Sequence, residues 1–282
     1  MTFHDTLTVS LPSGQSTVRL GQGTWNMGES PLQRKAEIAA LRCGIELGLT
    51  LIDTAEMYAD GGAEIIVGEA IKGLRDRIFL VSKVLPGNAS RDGTINACEQ
   101  SLKRLKTDYL DLYLLHWRSG FSLHETVEAF DYLCESGKIG SWGVSNFDFR
   151  DMNELFQVET ESTIVTNQVL YNVSRRGIEF DLLPLLQSRT IPVMAYSPIE
   201  QGRSLKDETL NMIARRHNAS AAQIALAWTL RNDNVIAIPK SSKIEHVQQN
   251  RAAMDIILTK EDLADIDAAF PPPVRPSPLE VL

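Results

Sequence analysis

Short apolar runs alternate with segments of helical periodicity along most of the chain. There are eight runs, and seven of them end in a polar or aromatic residue with catalytic or binding potential. Strands separated by helices predict βα units and a parallel barrel, in which the carboxyl ends of all strands converge on one mouth. The runs span residues 18–23, 50–53, 78–83, 109–116, 142–146, 164–168, 191–196 and 235–240.

The segments between these runs are predicted to be helices that form the outer layer of the barrel. The predicted fold is therefore an α/β fold, a (β/α)8 TIM barrel. Apolar and polar residues alternate on both sides of residues 12–14, which predicts an N-terminal β-hairpin whose arms are 6–10 and 16–20. Extra helices are expected after strand 7, where 205–217 and 221–231 follow one another, and at the C-terminus, where 259–270 precedes a proline-containing tail. The remaining predicted helices are 33–47, 62–73, one opened by 90–94, one from 122 to 137, 149–156, 181–188 and 242–254.

Length and charge narrow the class of protein. The chain has 282 residues, near the usual size of one such barrel, so we expect a single domain over 1–282. A net charge of −8 offers no basic surface to nucleic acid and repels anionic membranes. Residues 1–5 lack the pattern of a secretory signal, no run is long enough to cross a bilayer, and Cys43, Cys98 and Cys134 suit helix cores. We therefore expect a cytoplasmic protein.

Asp53 and Lys83 each end an apolar run, and Tyr58 follows Asp53 by five residues. A single charge at the mouth would be costly to desolvate, so the carboxylate and the ammonium are expected to pair. The loop can return the phenol to this pair, and a nearby ammonium lowers the pKa of a phenol. The three residues suit a proton donor. An ion pair that only fills the barrel and a packed aromatic ring are the alternatives.

His116 ends the strongest predicted strand, and Trp117 follows it. A neutral imidazole at this place could donate a hydrogen bond to a substrate carbonyl oxygen, or be the proton donor itself. A core histidine satisfied by the backbone is the alternative. No other histidine or carboxylate lies at metal-ligand spacing from it, so we expect no metal site.

Ser145, Asn146 and Gln168 end two further runs, and Tyr196 ends the next. Their hydroxyl and amide groups offer both donors and acceptors to a carboxamide, and the tyrosine offers an aromatic face. These residue types suit a nicotinamide ring. Turn formation by Ser145 and Asn146 is the alternative.

Lys240 and Ser241 lie where the last run meets a helix. Free N–H groups, the helix dipole and an ammonium predict an anion site there. Ser242 and Glu245 match a capping box, so Ser242 is expected to cap the helix. The chain has no glycine-rich dinucleotide fingerprint and no Walker motif, so a nucleotide would be bound in another way.

In this order and spacing, the motifs resemble those of the aldo-keto reductases over nearly the whole chain. The chain is similar to the short bacterial members that reduce methylglyoxal and other small aldehydes. The motifs are 21–25 (Gly-Gln-Gly-Thr-Trp), 51–55 with Tyr58, 81–83 (Val-Ser-Lys), 109–116, 143–146 (Gly-Val-Ser-Asn), 167–168 (Asn-Gln), 196–198 (Tyr-Ser-Pro) and 238–240 (Ile-Pro-Lys).

The resemblance implies a monomeric enzyme that reduces small aldehydes and ketones with NADPH by direct hydride transfer. It implies a catalytic tetrad of Asp53, Tyr58, Lys83 and His116, and a substrate pocket formed by Trp25, Trp117, Tyr58 and His116. The residues implied for the cofactor are Gly23, Thr24, Trp25, Asp53, Ser145, Asn146, Gln168, Tyr196, Ser197, Pro198, Ile199, Ile238, Lys240, Ser241, Ser242, His246, Gln249 and Asn250.

Two positions depart from the pattern of the family. Many members have arginine where this chain has His246 and glutamate where it has Gln249, so NADH stays as the alternative to NADPH. The tail after Phe270 is short, which predicts a more open pocket. Two other functions fit the residues: an aldolase that forms a Schiff base on Lys83, and a regulatory barrel that binds NADP(H) with feeble turnover.

Overall fold

The computed structural model describes residues 8–282, and parallel strands form its centre. The strands are β1 (Thr8–Ser10), β2 (Ser16–Val18), β3 (Gln22–Gly23), β4 (Leu51–Asp53), β5 (Phe79–Val84), β6 (Leu112–Leu115), β7 (Trp142–Ser145), β8 (Ile164–Leu170), β9 (Val193–Tyr196) and β10 (Val235–Ala237). From β3 to β10, each strand pairs in parallel with the next one in the chain. Parallel bridges from Leu20 to Ala237 and from Gly23 to Lys240 join β10 back to β3, so the predicted barrel is closed.

The N-terminal hairpin seals the end of the barrel opposite the mouth. β1 and β2 pair antiparallel, with Val9 opposite Thr17, as predicted. Val9 and Leu11 join the apolar cluster inside the barrel, which includes Leu51 and Phe79 at the starts of their strands. Access to the interior is therefore from the carboxyl ends of the strands. The described residues do not include residues 6 and 7 of the predicted hairpin. They also do not include residues 1–5, which were expected to lack a secretory signal.

Helices cover the outside of the barrel close to their predicted ranges. Serines cap two of the helix starts: Ser90 accepts from Gly93 N at 3.2 Å and Ser122 accepts from His124 N at 3.3 Å. Within residues 8–282, no helix combines the length and hydropathy needed to span a membrane. The helices are α1 (Arg34–Glu46), α2 (Gly62–Ala70), α3 (Arg91–Leu105), α4 (Leu123–Glu135), α5 (Phe149–Leu155), α6 (Leu182–Ser188), α7 (Glu208–Arg216), α8 (Ala221–Thr229), α9 (Ile244–Ala252) and α10 (Lys260–Ala269).

At the mouth, Gly23 permits a close approach of two strands, because a Cβ there would lie 2.8 Å from the Ile238 carbonyl oxygen. The run 109–116 predicts one long strand, but the strand is only Leu112–Leu115. His116 still follows it directly and so lies at the mouth.

Candidate active site

Asp53, Tyr58 and Lys83 meet at the mouth of the barrel. Asp53 ends β4, Lys83 lies in β5, and Tyr58 begins a short 3₁₀ helix, Tyr58–Gly61. The Lys83 ammonium donates to Asp53 Oδ2 at 2.8 Å and to Tyr58 Oη at 3.2 Å. Direct contacts therefore join the three side chains that the sequence predicts to meet.

The ion pair is buried and its hydrogen bonds are complete. The Lys83 side chain is 0% exposed and that of Asp53 is 3% exposed. The third donor of the ammonium reaches Thr54 O at 2.9 Å, and Asp53 Oδ1 accepts from Gln168 Nε2 at 2.7 Å. A buried ion pair is tolerated when the remaining donors and acceptors are satisfied in this way.

Burial decides the protonation of Tyr58. It raises the pKa of Tyr58 above the ordinary 10.0 by more than the Lys83 ammonium lowers it. The expected lowering is therefore wrong in its net direction, because desolvation of the phenolate outweighs attraction. Burial alone would lower the pKa of Lys83, but Asp53 and Tyr58 raise it overall. Both groups hold their protons at neutral pH.

His116 completes this side of the mouth as a neutral ring. Its centroid lies 5.7 Å from that of Tyr58 in an edge-on arrangement and 4.9 Å from that of Trp117. Burial, assisted by repulsion from Lys83, lowers the pKa of His116 to about 2. Its Nδ1 is buried without a hydrogen-bond partner within residues 8–282. This argues against a core histidine whose ring is fully satisfied.

The residues expected to suit a nicotinamide ring gather beside this group. Ser145 Oγ donates to Gln168 O at 2.9 Å, Asn146 Nδ2 donates to His116 O at 3.2 Å, and Tyr196 Oη donates to Asn146 Oδ1 at 2.9 Å. The structure thus brings the four residues together and links them through Gln168 to the ion pair. The side-chain NH₂ group of Gln168 is already used, toward Asp53 Oδ1 and Met194 Sδ. Its side-chain carbonyl is therefore the group that stays open to a ligand.

A cavity of about 1340 Å³ runs along the mouth. This exceeds the roughly 300–1,000 Å³ of a common small-ligand pocket, so the cavity has room for a long ligand. Among the predicted site residues, Lys83 lies behind its wall, and Ser242 is likewise not among the lining residues. The predicted residues that do line it are Gly23, Thr24, Trp25, Asp53, Tyr58, His116, Trp117, Ser145, Asn146, Gln168, Tyr196, Ser197, Pro198, Ile199, Ile238, Lys240, Ser241, His246, Gln249 and Asn250.

Lys240 and Ser241, where an anion site is expected, line the same cavity. Lys240 reaches the lining and forms no ion pair with the residues that the structure describes. The expected cap by Ser242 is wrong: α9 starts after Lys243, and Ser241 Oγ accepts from Lys243 N at 3.1 Å instead. Ser242 Oγ is buried and has no partner within the described part of the chain.

Some walls of the cavity were not predicted. Met57 and Arg118 adjoin the predicted Tyr58 and Trp117, so their positions in the sequence could have indicated them. The tail gives no such local signal, yet Val281 and Leu282 reach the cavity that Tyr196 also lines. The expectation that the short tail leaves the pocket more open stays a prediction. Further lining residues are Gln201, Leu205, Arg215, Ala222, Val281 and Leu282.

Comparison with known proteins agrees with this geometry. Residues 19–270 match the model of the "Aldo/keto reductase family". Methylglyoxal reductase YeaE of Escherichia coli K12 is 56% identical over 279 residues, 97% of this chain and 96% of that protein. Glyoxal reductase of Bacillus subtilis is 36% identical over 247 residues, 86% and 87% of the two chains. An aldo/keto reductase from Klebsiella pneumoniae, crystallised with NADP and acetate, has a TM-score of 0.95 at 50% identity and covers 98% of this chain and 99% of its own.

Proposed function

The chain belongs to the aldo/keto reductase family, and we propose that it reduces small aldehydes and ketones to alcohols with NADPH. Methylglyoxal-like 2-oxoaldehydes are the first substrates to expect, because two relatives are a methylglyoxal reductase and a glyoxal reductase. Aromatic aldehydes are the second class, since Trp25 and Trp117 offer flat walls. The observation that carries the proposal is the 3.2 Å contact of Lys83 Nζ with Tyr58 Oη at the wall of the long cavity.

The size and charge of the cavity fit NADPH. Two similar structures from Klebsiella pneumoniae contain NADP or NADPH. When bound, NADPH supplies the hydride that reaches the carbonyl carbon. Asn146 and Gln168 would hold the carboxamide with Ser145, Tyr196 would face the ring, and Lys240 would meet the 2′-phosphate. The other residues proposed for the cofactor are Gly23, Thr24, Trp25, Asp53, Ser197, Pro198, Ile199, Ile238, Ser241, His246, Gln249 and Asn250.

Tyr58 is the proposed proton donor. Its phenol faces the cavity and is protonated at neutral pH, so it can give its proton to the substrate oxygen as that oxygen gains charge. Lys83 already bonds the phenol oxygen and stabilises the phenolate that remains. Asp53 and the Thr54 carbonyl hold the ammonium in place.

His116 acts in this proposal as a hydrogen-bond donor to the substrate oxygen. A ring with a pKa of about 2 carries no extra proton near neutral pH, so it does not serve as the acid. Its neutral imidazole still has one N–H to offer. Two donors, Tyr58 and His116, would then fix the carbonyl between the tryptophan walls.

No observation specifically favours either of the two alternative functions, the Schiff-base aldolase or the regulatory barrel. A Schiff base requires a neutral, accessible amine, but Lys83 is 0% exposed and its pKa is raised. The contacts that join Asp53, Lys83 and Tyr58 favour an enzyme over a regulatory barrel with feeble turnover. Consumption of NADPH on addition of an aldehyde separates an enzyme from such a sensor.

The proposal extends to the form in which the protein works. We expect one domain over residues 1–282, a monomer in the cytoplasm, and neither nucleic acid nor membrane as a partner. One closed sheet built from β3 to β10 supports the single domain. The net charge of −8 supports the absence of polyanionic partners.

The test replaces the hydroxyl of the proposed acid. A positioned general acid contributes about 10²–10⁴-fold to rate, so Tyr58→Phe should lose at least about 100-fold in kcat for methylglyoxal. NADPH binding, measured by fluorescence titration, should stay within about twofold, because Tyr58 is not assigned to the cofactor. Tyr113→Phe is the matched control, since its buried hydroxyl has no partner within residues 8–282. Near-normal turnover of Tyr58→Phe would remove Tyr58 from this role.

A further inference from the structure

Two consecutive arginines hold both ends of the tail, residues 271–282. Arg176 Nη1 donates to Phe270 O at 2.6 Å, where the tail begins, and to Asp267 at 2.7 Å. Arg175 Nη1 pairs with Glu280 Oε1 at 2.6 Å, just before the tail reaches the cavity. Val281 and Leu282 then line the cavity.

The guanidinium of Arg175 holds a second wall as well. Its Nε and Nη2 bond Glu200 Oε1 at 3.1 and 3.0 Å. Asn172 Nδ2 donates to Glu200 Oε2 at 2.8 Å and to Ser197 O at 2.9 Å. Burial would raise the pKa of Glu200, but the bonds from Arg175 and Asn172 lower it overall, so it stays charged. The loop that starts at Ser197 and the tail thus share one cation.

We propose that Arg175 is a positioning residue that, through Glu280, sets the tail wall of the aldehyde pocket and with it the preference for small over bulky aldehydes. This inference depends on the proposed function, because it concerns the same cavity. Arg175 touches both walls at once because its planar fork presents several donors in fixed directions. A lysine at this position would offer a single point charge and could not hold Glu200 and Glu280 in the same geometry.

The size of the effect follows from the exposure of the pair. The side chains of Arg175 and Glu280 are 34% and 41% exposed. Pairs of this kind are partly screened, and the loss of one shifts an equilibrium by about two- to fivefold. Loosening the tail should open the pocket, so bulky aldehydes gain relative to small ones. Glu280 is not itself assigned to the cofactor, and the aldehydes are compared at saturating NADPH, so a weaker hold on the cofactor would not alter the comparison.

The experiment compares Glu280→Gln with Glu99→Gln. Glu99 pairs with Lys138 at 2.5 Å and is 42% exposed, so it matches Glu280, but neither member of that pair lines the cavity. The measured quantity is kcat/KM for 1-naphthaldehyde divided by kcat/KM for methylglyoxal at saturating NADPH. We expect Glu280→Gln to raise this ratio about two- to fivefold, with kcat for methylglyoxal unchanged. Glu99→Gln should leave the ratio unchanged.

Salt gives a readout that a purely structural role would not move. Added salt screens the exposed pair, so the ratio of the unaltered protein should approach that of Glu280→Gln, whose own ratio stays constant. The ratio of Arg175→Lys should lie between that of the unaltered protein and that of Glu280→Gln.

Two results overturn the proposal: an unchanged ratio in an active Glu280→Gln enzyme, or an equal change of the ratio in Glu99→Gln. If Glu280→Gln does not fold, Leu282→Ala takes its place and should raise the ratio. An unchanged ratio in Leu282→Ala would then overturn the proposal. If the unaltered protein oxidises NADPH with neither aldehyde, the proposed function is contradicted, and the role of Arg175 is not the cause.

Discussion

Replacing Asp53 by asparagine should leave the Lys83 ammonium buried without its counter-charge. The two oxygens of Asp53 accept from two donors, Lys83 Nζ at 2.8 Å and Gln168 Nε2 at 2.7 Å. Asparagine has one oxygen and one amino group, so either orientation of its amide sets a donor against a donor. Breaking a buried pair from one side costs about 3–5 kcal/mol. That is a large part of a typical total of about 5–15 kcal/mol.

Four proteins measure this cost and test what the ion pair does. They are the unaltered chain, Asp53→Asn, Lys83→Met and the double variant, each unfolded in urea and assayed for turnover. Each single variant should lose about 3–5 kcal/mol in the free energy of unfolding. The double variant should lose clearly less than the sum, because no unpaired charge remains. Its kcat should nevertheless stay as low as that of Lys83→Met, since the phenolate has lost its stabilising cation.

Two results would refute this reasoning. If Asp53→Asn lowers the free energy of unfolding by less than about 1 kcal/mol, the pair behaves like an exposed salt bridge, which contradicts its burial. Recovery of both stability and turnover in the double variant would show that the pair only fills the barrel. The control is Glu99→Gln, which breaks an exposed pair and should change the free energy of unfolding far less than Asp53→Asn does.

Two further predictions concern the cofactor and acid stability. Lys240→Met should weaken NADPH binding about tenfold in fluorescence titrations and leave NADH nearly unchanged, because only NADPH presents a 2′-phosphate to the ammonium; equal losses would contradict the assignment. Burial would raise the pKa of Asp262, but bonds from His217, Thr259 and Arg216 lower it well below its ordinary value. Its stabilisation is therefore present above a pH of about 4 and is lost as the pH falls further. Asp262→Asn should be less stable at neutral pH, with a smaller further loss in acid, and identical urea midpoints against pH for the two proteins would exclude this role.

The fold could be predicted because its signals are local. Each strand is a short apolar run, and serine caps mark helix starts, as at Ser90 and Ser122. The meeting of Asp53, Lys83 and Tyr58 could be predicted as well, because a parallel barrel brings all strand ends to one mouth. The position of a residue at a strand end was thus enough to indicate its neighbours across the sheet.

The rest depended on quantities that the sequence does not contain. The net direction of the Tyr58 pKa depends on how deeply the phenol is buried, and a motif does not state burial. The expected cap of α9 by Ser242 failed because the helix starts after Lys243 without a side-chain cap, and Ser241 rather than Ser242 accepts from Lys243 N. The pair of Arg175 with Glu280 joins positions 105 residues apart, with no periodicity or motif to relate them.

The raised pKa of Tyr58 agrees with a role as the acid in a reduction. Before reaction, burial keeps the phenol neutral, so the proton is present when the substrate oxygen begins to gain charge. As the proton leaves, the growing negative charge lies 3.2 Å from an ammonium that is already oriented. The low dielectric that disfavours phenolate in the resting site also strengthens this attraction, and the fixed partners of Lys83 leave little to reorganise. In the proposed reaction, burial therefore keeps the proton on the resting phenol, while the Lys83 ammonium stabilises the negative charge that develops as the proton leaves.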